Sequence, residues 1–213
     1  EDPWLSSRMA VAVVKGLQSE HIVPTVKHFA LNNNDWNRHQ SDVEIDERAL
    51  HEIYLPSFKA AVQEAGALGI MSSYNKIRGL HASEQPYLLN DILKTEWGFK
   101  GIVVSDWGSV YSTVGPVKAG LDIEMALPQF FSRDSIMKYL DAGLITREQI
   151  YEKARRNLYV RFAAGLFTPV RVDREILNSE STNQVVRTLA EEGITLLKNE
   201  DNLLPLQRDN IKS

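Results

Sequence analysis

Gly101-Ile102-Val103-Val104-Ser105-Asp106-Trp107 runs from a glycine through three β-branched residues and stops on a carboxylate and an indole. An apolar run this short, without polar alternation, reads as a strand buried on both faces, as in a parallel sheet. Two earlier runs read the same way, His21-Ile22-Val23-Pro24-Thr25-Val26-Lys27-His28-Phe29 and Gly69-Ile70-Met71-Ser72-Ser73-Tyr74. Leu121-Asp122-Ile123-Glu124-Met125 reads as a short fourth strand. Helices are expected between them: one capped by Asp2-Pro3 and reaching about Gln18, one capped by Asp46 and reaching about Ala65, one over 83–97 and a short one over 110–119. Two more are expected over 133–140 and 147–164. Short strands alternating with amphipathic helices make parallel β/α units. Four such units amount to half of an eight-stranded barrel, or to a small doubly wound sheet.

The chain changes character near Phe167-Thr168-Pro169. A polar linker carrying Asp173, Asn178 and Ser179 leads into a helix over 182–192, a strand Gly193-Ile194-Thr195-Leu196-Leu197-Lys198-Asn199 and an apolar hook Leu203-Leu204-Pro205-Leu206. This reads as the start of a second domain. The opening Glu1-Asp2-Pro3-Trp4, without an initiator Met, reads as a chain cut at both ends.

Composition removes several classes of function. The 213 residues are 43% hydrophobic and 24% charged, a globular balance. Lys and Arg number 24 against 28 Asp and Glu, a net charge of −4 with no basic run, which argues against a nucleic-acid partner. Cysteine is absent, so disulfides and thiolate metal sites are excluded. No apolar run approaches the roughly 18 residues of a membrane span. His21, His39, His51 and His81 lack metal-ligand spacing, and no glycine-rich phosphate loop is present, so neither metal nor cofactor is expected. The compartment stays open: periplasmic, secreted and cytoplasmic locations all fit.

Polar and aromatic groups fall where parallel barrels place their chemistry, at the carboxyl ends of the strands. The first strand ends in Lys27-His28, the second in Met71 and Tyr74, the third in Asp106-Trp107 and the fourth in Glu124. Asp106 leaves a buried strand either to face a pocket or to cap the next helix. Trp107 suits the flat face of a pyranose and equally suits core packing. Adjacent strand residues point to opposite faces, so Lys27 and His28 reach one ligand together only at a bulge or strand end. Arg38 sits in a polar loop, where a solvated or ion-paired side chain is the ordinary case. Glu124 reads as a structural ion pair ahead of a pocket carboxylate.

Together these residues carry a family resemblance. Val26-Lys27-His28-Phe29-Ala30-Leu31-Asn32 with Asn37-Arg38, Met71-Ser72-Ser73-Tyr74-Asn75, Glu96-Trp97-Gly98-Phe99-Lys100-Gly101, Val104-Ser105-Asp106-Trp107 and Gly120-Leu121-Asp122-Ile123-Glu124-Met125 resemble, in order, the β-glucosidase group of family 3 glycoside hydrolases. Residues 191–206 are similar to the family's lead into its second domain. The resemblance implies an α/β fold: the C-terminal half of a (β/α)8 TIM-type barrel over 1–165, then a linker into a truncated α/β sandwich domain over 166–213.

The resemblance also implies chemistry. Asp106 would be the nucleophile of a retaining exo-acting β-glycosidase, with Lys27, His28 and Arg38 on sugar hydroxyls, Met71 and Tyr74 lining the first subsite, and Trp107 beside the sugar. The family's acid/base glutamate usually belongs to the second domain, so none is assigned here. The N-acetylhexosaminidase branch is disfavoured, because Phe29 is followed by Ala30-Leu31-Asn32 where that branch has Pro-Gly. The expected partners are a β-linked glucoside or oligosaccharide and the remaining segments of the same enzyme; a homodimer is left open. The alternatives are a β-xylosidase or mixed-specificity relative, a Schiff-base aldolase using Lys27, and a sugar-binding fragment without turnover.

Overall fold

The computed structural model describes residues 2–168 and 174–211. The chain divides into two compact units, Glu1–Thr168 and Pro169–Ser213. Asp173 of the expected linker, and Pro169 before it, lie outside the described residues.

The first unit is α/β. Its helix α1 (Pro3–Ser19) starts where Asp2 accepts hydrogen bonds from the Trp4 and Leu5 amides, both at 2.9 Å, with Pro3 in the first turn where no amide is needed. Strand β1 (Thr25–Phe29) follows. After the two-residue strand β2 (Asp42–Val43), Asp46 caps a helical run as expected. That run begins as α2 (Glu47–Ala49), widens to π spacing over Leu50–Tyr54 and resumes as α3 (Pro56–Gln63). Pro56 has no amide to donate to the preceding turn, which accounts for the break.

Strand β3 (Gly69–Ser72) leads to a hairpin, β4 (Lys76–Ile77) and β5 (Leu80–His81). The helix expected over 83–97 is a 3₁₀ turn, Ala82–Glu84, and a π-helix, Tyr87–Glu96. Strand β6 (Ile102–Val104) precedes α4 (Val114–Ala119), α5 (Arg133–Asp141) and α6 (Arg147–Ala163).

β1, β3 and β6 form one parallel sheet in that order, with Val26 opposite Ile70 and Ile70 opposite Val103. Phe29, Ile70 and Val103 are fully buried. Phe29 meets the rings of Phe58 and Trp97 edge-on at 5.0 and 5.9 Å. Gly101 at the entry to β6 tolerates no side chain, because a Cβ there would collide with the Leu68 carbonyl. Arg156 of α6 donates to the carbonyls of Phe99 and Gly101 at 2.9 and 3.1 Å, fastening α6 to the start of β6.

Two expected strands are corrected. Among the described residues, segment 121–125 makes the single bridge Val104–Ile123. The Asp122 carboxylate accepts the Val103 amide at 2.8 Å, taking a donor that a backbone ladder would use. In the second unit, α7 (Glu180–Gly193) extends to Gly193, and 194–199 has no ladder partner among the described residues. Ile194, Leu196 and Leu197 are exposed there. An apolar run becomes a strand only when another strand satisfies its backbone.

Candidate active site

The end of β6 delivers Asp106 to a cluster gathered from three strand ends. Its carboxylate is largely buried, with a side chain 10% exposed. Oδ1 accepts the Tyr74 hydroxyl at 3.1 Å and the Trp107 amide at 2.7 Å. Oδ2 lies 3.2 Å from His28 Nε2. Burial first, then the adjacent Asp106 carboxylate and the hydrogen bond to it, hold the Tyr74 phenol above its ordinary range. The phenol therefore stays protonated and remains a donor.

The backbone beneath the carboxylate is held as firmly. The Asp106 carbonyl accepts the hydroxyls of Ser105 at 2.8 Å and Ser109 at 3.1 Å, and the Ser109 amide at 3.2 Å. Ser105 Oγ in turn accepts the Met125 amide at 2.8 Å, so segment 121–125 supports Asp106 without forming a strand.

β1 reaches the cluster through an irregularity. Val26 pairs with Ile70 and Phe29 with Ser72, so three steps on β1 match two on β3, and Lys27 and His28 occupy the extra length. This is the bulge that the adjacent pair requires. It turns His28 onto Asp106, while Lys27 is exposed and makes no hydrogen bond or ion pair among the described residues.

Arg38 comes down from the loop after β1. Its guanidinium sits 4.1 Å from the Tyr74 ring centroid and pairs with Asp35 at 3.0 Å. The structure thus brings Asp106, His28, Tyr74 and Arg38 together. Trp107 contributes its amide, and the residue is 64% exposed. Met71 is half-buried on β3, beside Ile70. Among the described residues Glu124 has no ion-pair partner and makes no bond to the Asp106 cluster. It accepts the amides of Gln129, Phe130 and Phe131 at 3.0, 2.9 and 2.6 Å and pins the loop before α5.

Three residues next to the cluster carried no functional reading from sequence. His39 packs its ring 4.6 Å from that of Tyr74, and His81 stacks on Tyr111 at 3.6 Å. The only sequence hint was proximity: His39 follows Arg38, and Tyr111 follows Asp106 by five positions. Among the described residues no group of three His, Asp or Glu side chains could hold a metal ion, and no helix is long and apolar enough to cross a membrane.

The profile of the glycosyl hydrolase family 3 N-terminal domain matches residues 1–160. Beta-glucosidase B of Emericella nidulans is 37% identical over 211 residues, covering 98% of this chain and 25% of that protein. An exo-alpha-(1->6)-L-arabinopyranosidase of Bifidobacterium longum is 37% identical over 206 residues, 97% of this chain and 27% of that protein. The structure of beta-glucosidase 3B from Thermotoga neapolitana in complex with alpha-D-glucose superposes with a TM-score of 0.87 at 37% identity, over 97% of this chain and 30% of that one. The chain therefore spans about a quarter of the length of the curated relatives it matches.

Proposed function

The chain belongs to glycosyl hydrolase family 3, and on that premise we propose that it forms part of a retaining, exo-acting β-glycosidase with Asp106 as nucleophile. Its three parallel strands and the 121–125 segment are read as the C-terminal part of a (β/α)8 barrel over 1–165. Residues 166–213 are read as the linker and start of an α/β sandwich domain. The remaining segments of the enzyme, including its acid/base, are the expected partners, since the chain spans only 25% of a relative such as beta-glucosidase B.

One observation carries the reading: a largely buried carboxylate at a strand's carboxyl end with donors on both oxygens and, among the described residues, no Lys or Arg ion-paired to it. The nucleophile of a retaining glycosidase must be ionised, and hydrogen bonds to the charged form favour that state. Oδ1, holding two donors, anchors the group. Oδ2 attacks the anomeric carbon as the leaving oxygen takes a proton from the acid, and water later releases the sugar from the glycosyl-Asp ester. Arg38, Lys27 and His28 bind hydroxyls of the sugar in the first subsite, His28 exchanging its contact with Oδ2 for one of them. Met71 and Tyr74 line the first subsite, and the exposed Trp107 ring packs beside the sugar.

Glucose is the sugar favoured by the names of most relatives. The relative named for arabinopyranose matches at equal identity, so a panel of aryl glycosides decides the sugar. The nucleophile is tested by incubating the full-length polypeptide with a 2-deoxy-2-fluoroglucoside and sequencing the labelled peptide. The label is expected on Asp106, and Asp106→Asn should lower turnover by at least about 10³-fold. A label on another carboxylate, or near-native turnover in that variant, overturns the assignment.

A further inference from the structure

Tyr111 touches no atom of the Asp106 carboxylate, yet it stands at the centre of a ring cluster that converges on Tyr74. Its hydroxyl oxygen lies 2.9 Å from His39 Nδ1 and 3.4 Å from the Tyr74 carbonyl. His81 Nδ1 lies 3.2 Å from that same carbonyl. The His81 and Tyr111 rings stack at 3.6 Å and 20°, while the His39 ring packs against the Tyr74 ring. The four side chains come from four places: the loop after β1, the end of β3, β5 and the loop after β6.

Proton bookkeeping leaves one consistent arrangement. A carbonyl only accepts, so His81 carries its proton on Nδ1. A phenol has one proton, so Tyr111 satisfies both neighbours only by donating to the Tyr74 carbonyl and accepting from His39 Nδ1–H. Both lone pairs of the Tyr74 carbonyl are then used. Burial pushes the Tyr111 phenol up to about 12 and lowers His81, so both donors are neutral near pH 7.

We propose that Tyr111 is a positioning residue: by holding the Tyr74 main chain it aims the Tyr74 hydroxyl at Oδ1 of Asp106. This rests on the reading of Asp106 as nucleophile. Without the Tyr111 hydroxyl, the Tyr74 carbonyl keeps one donor, Tyr74 gains freedom and its bond to the carboxylate loosens. A carboxylate that loses a donor to its charged form titrates higher, so the acid limb of activity moves to higher pH.

The test is a double-mutant cycle in the full-length polypeptide, read as the rate of Asp106 labelling by a 2-deoxy-2-fluoroglucoside. Tyr111→Phe should slow labelling about tenfold, the worth of one buried hydrogen bond, and raise the acid limb. Tyr74→Phe should slow it at least as much, and the double variant should be no slower than Tyr74→Phe alone. Native labelling in Tyr111→Phe, or a double variant slowed by the product of the two effects, overturns the proposal. No label on Asp106 in the native protein overturns instead the nucleophile assignment beneath it. If Tyr111→Phe melts below the assay temperature, His81→Leu and His81→Asn make the same comparison. Slow labelling restored by Asn, whose amide can replace Nδ1–H, supports the proposal; equal rates in the two variants overturn it.

Discussion

Asp106 and Asp122 are equally buried residues, each 7% exposed, and flank the same strand end. Their surroundings differ. Asp122 has a side chain with no exposed surface, accepts the Val103 amide and pairs with Lys94 at 3.3 Å. A second buried lysine, Lys153, donates to the carbonyls of Val117 and Leu121 at 3.0 and 2.5 Å, directly before it. Asp106 is met by a phenol, an amide and an imidazole. A carboxylate ion-paired to a buried lysine is a fastener, here between the Tyr87–Glu96 helix and the sheet. One held by a phenol, a backbone amide and an imidazole, with no lysine against it among the described residues, is fixed in place without being tied to a buried cation.

The contrast breaks most visibly by exchanging charges. Asp106→Asn should abolish turnover with little change in melting temperature. Asp122→Asn should cost about 3–5 kcal/mol, because it leaves Lys94 buried without its counter-charge. Denaturant melts of the two variants check this, and equal stability losses would erase the distinction.

Lys153 gives a smaller effect with a defined sign. Burial lowers its ammonium from the ordinary 10.5 to about 8. Between those values the unfolded chain binds more protons than the folded one, so this group adds stability as pH rises from about 8 to 10.5. Below about 8 the cost of the buried charge is felt in full. Lys153→Met removes that dependence, and its stability relative to the native protein should fall by up to about 3 kcal/mol across the window. A difference that stays constant with pH refutes it.

The smallest change is expected at Glu124, the carboxylate that, among the described residues, neither pairs with a cation nor reaches the cluster. Glu124→Ala removes the acceptor of three loop amides and should cost about 1–2 kcal/mol, with turnover within about threefold of native. A larger loss of turnover at unchanged stability would place it among the reacting groups.

The parallel sheet was legible because 101–107 and 69–74 are apolar runs closed by turn residues, and the place of Asp106 at a strand end was legible with it, while its proposed role came only from the family resemblance. The fourth strand was read where the chain forms only a bridge, because the side chain of Asp122 intercepts a backbone donor, which apolar patterning does not register. The β4–β5 hairpin escaped notice because its strands are two residues each. His39 and Tyr111 meet Tyr74 across long sequence separations, and His81, seven positions after Tyr74, returns to it through the β4–β5 hairpin, so only the assembled fold brings these groups together.

The three donors on the Asp106 carbonyl have a consequence for the torsional freedom of the side chain. With the peptide plane pinned by Ser105 and Ser109, only two side-chain torsions remain to move the carboxylate. Tyr74 and the Trp107 amide restrain those from the other end. On the proposed role of Asp106 as nucleophile, the entropy that a free aspartate would surrender on approaching an anomeric carbon is lost during folding, before any sugar arrives.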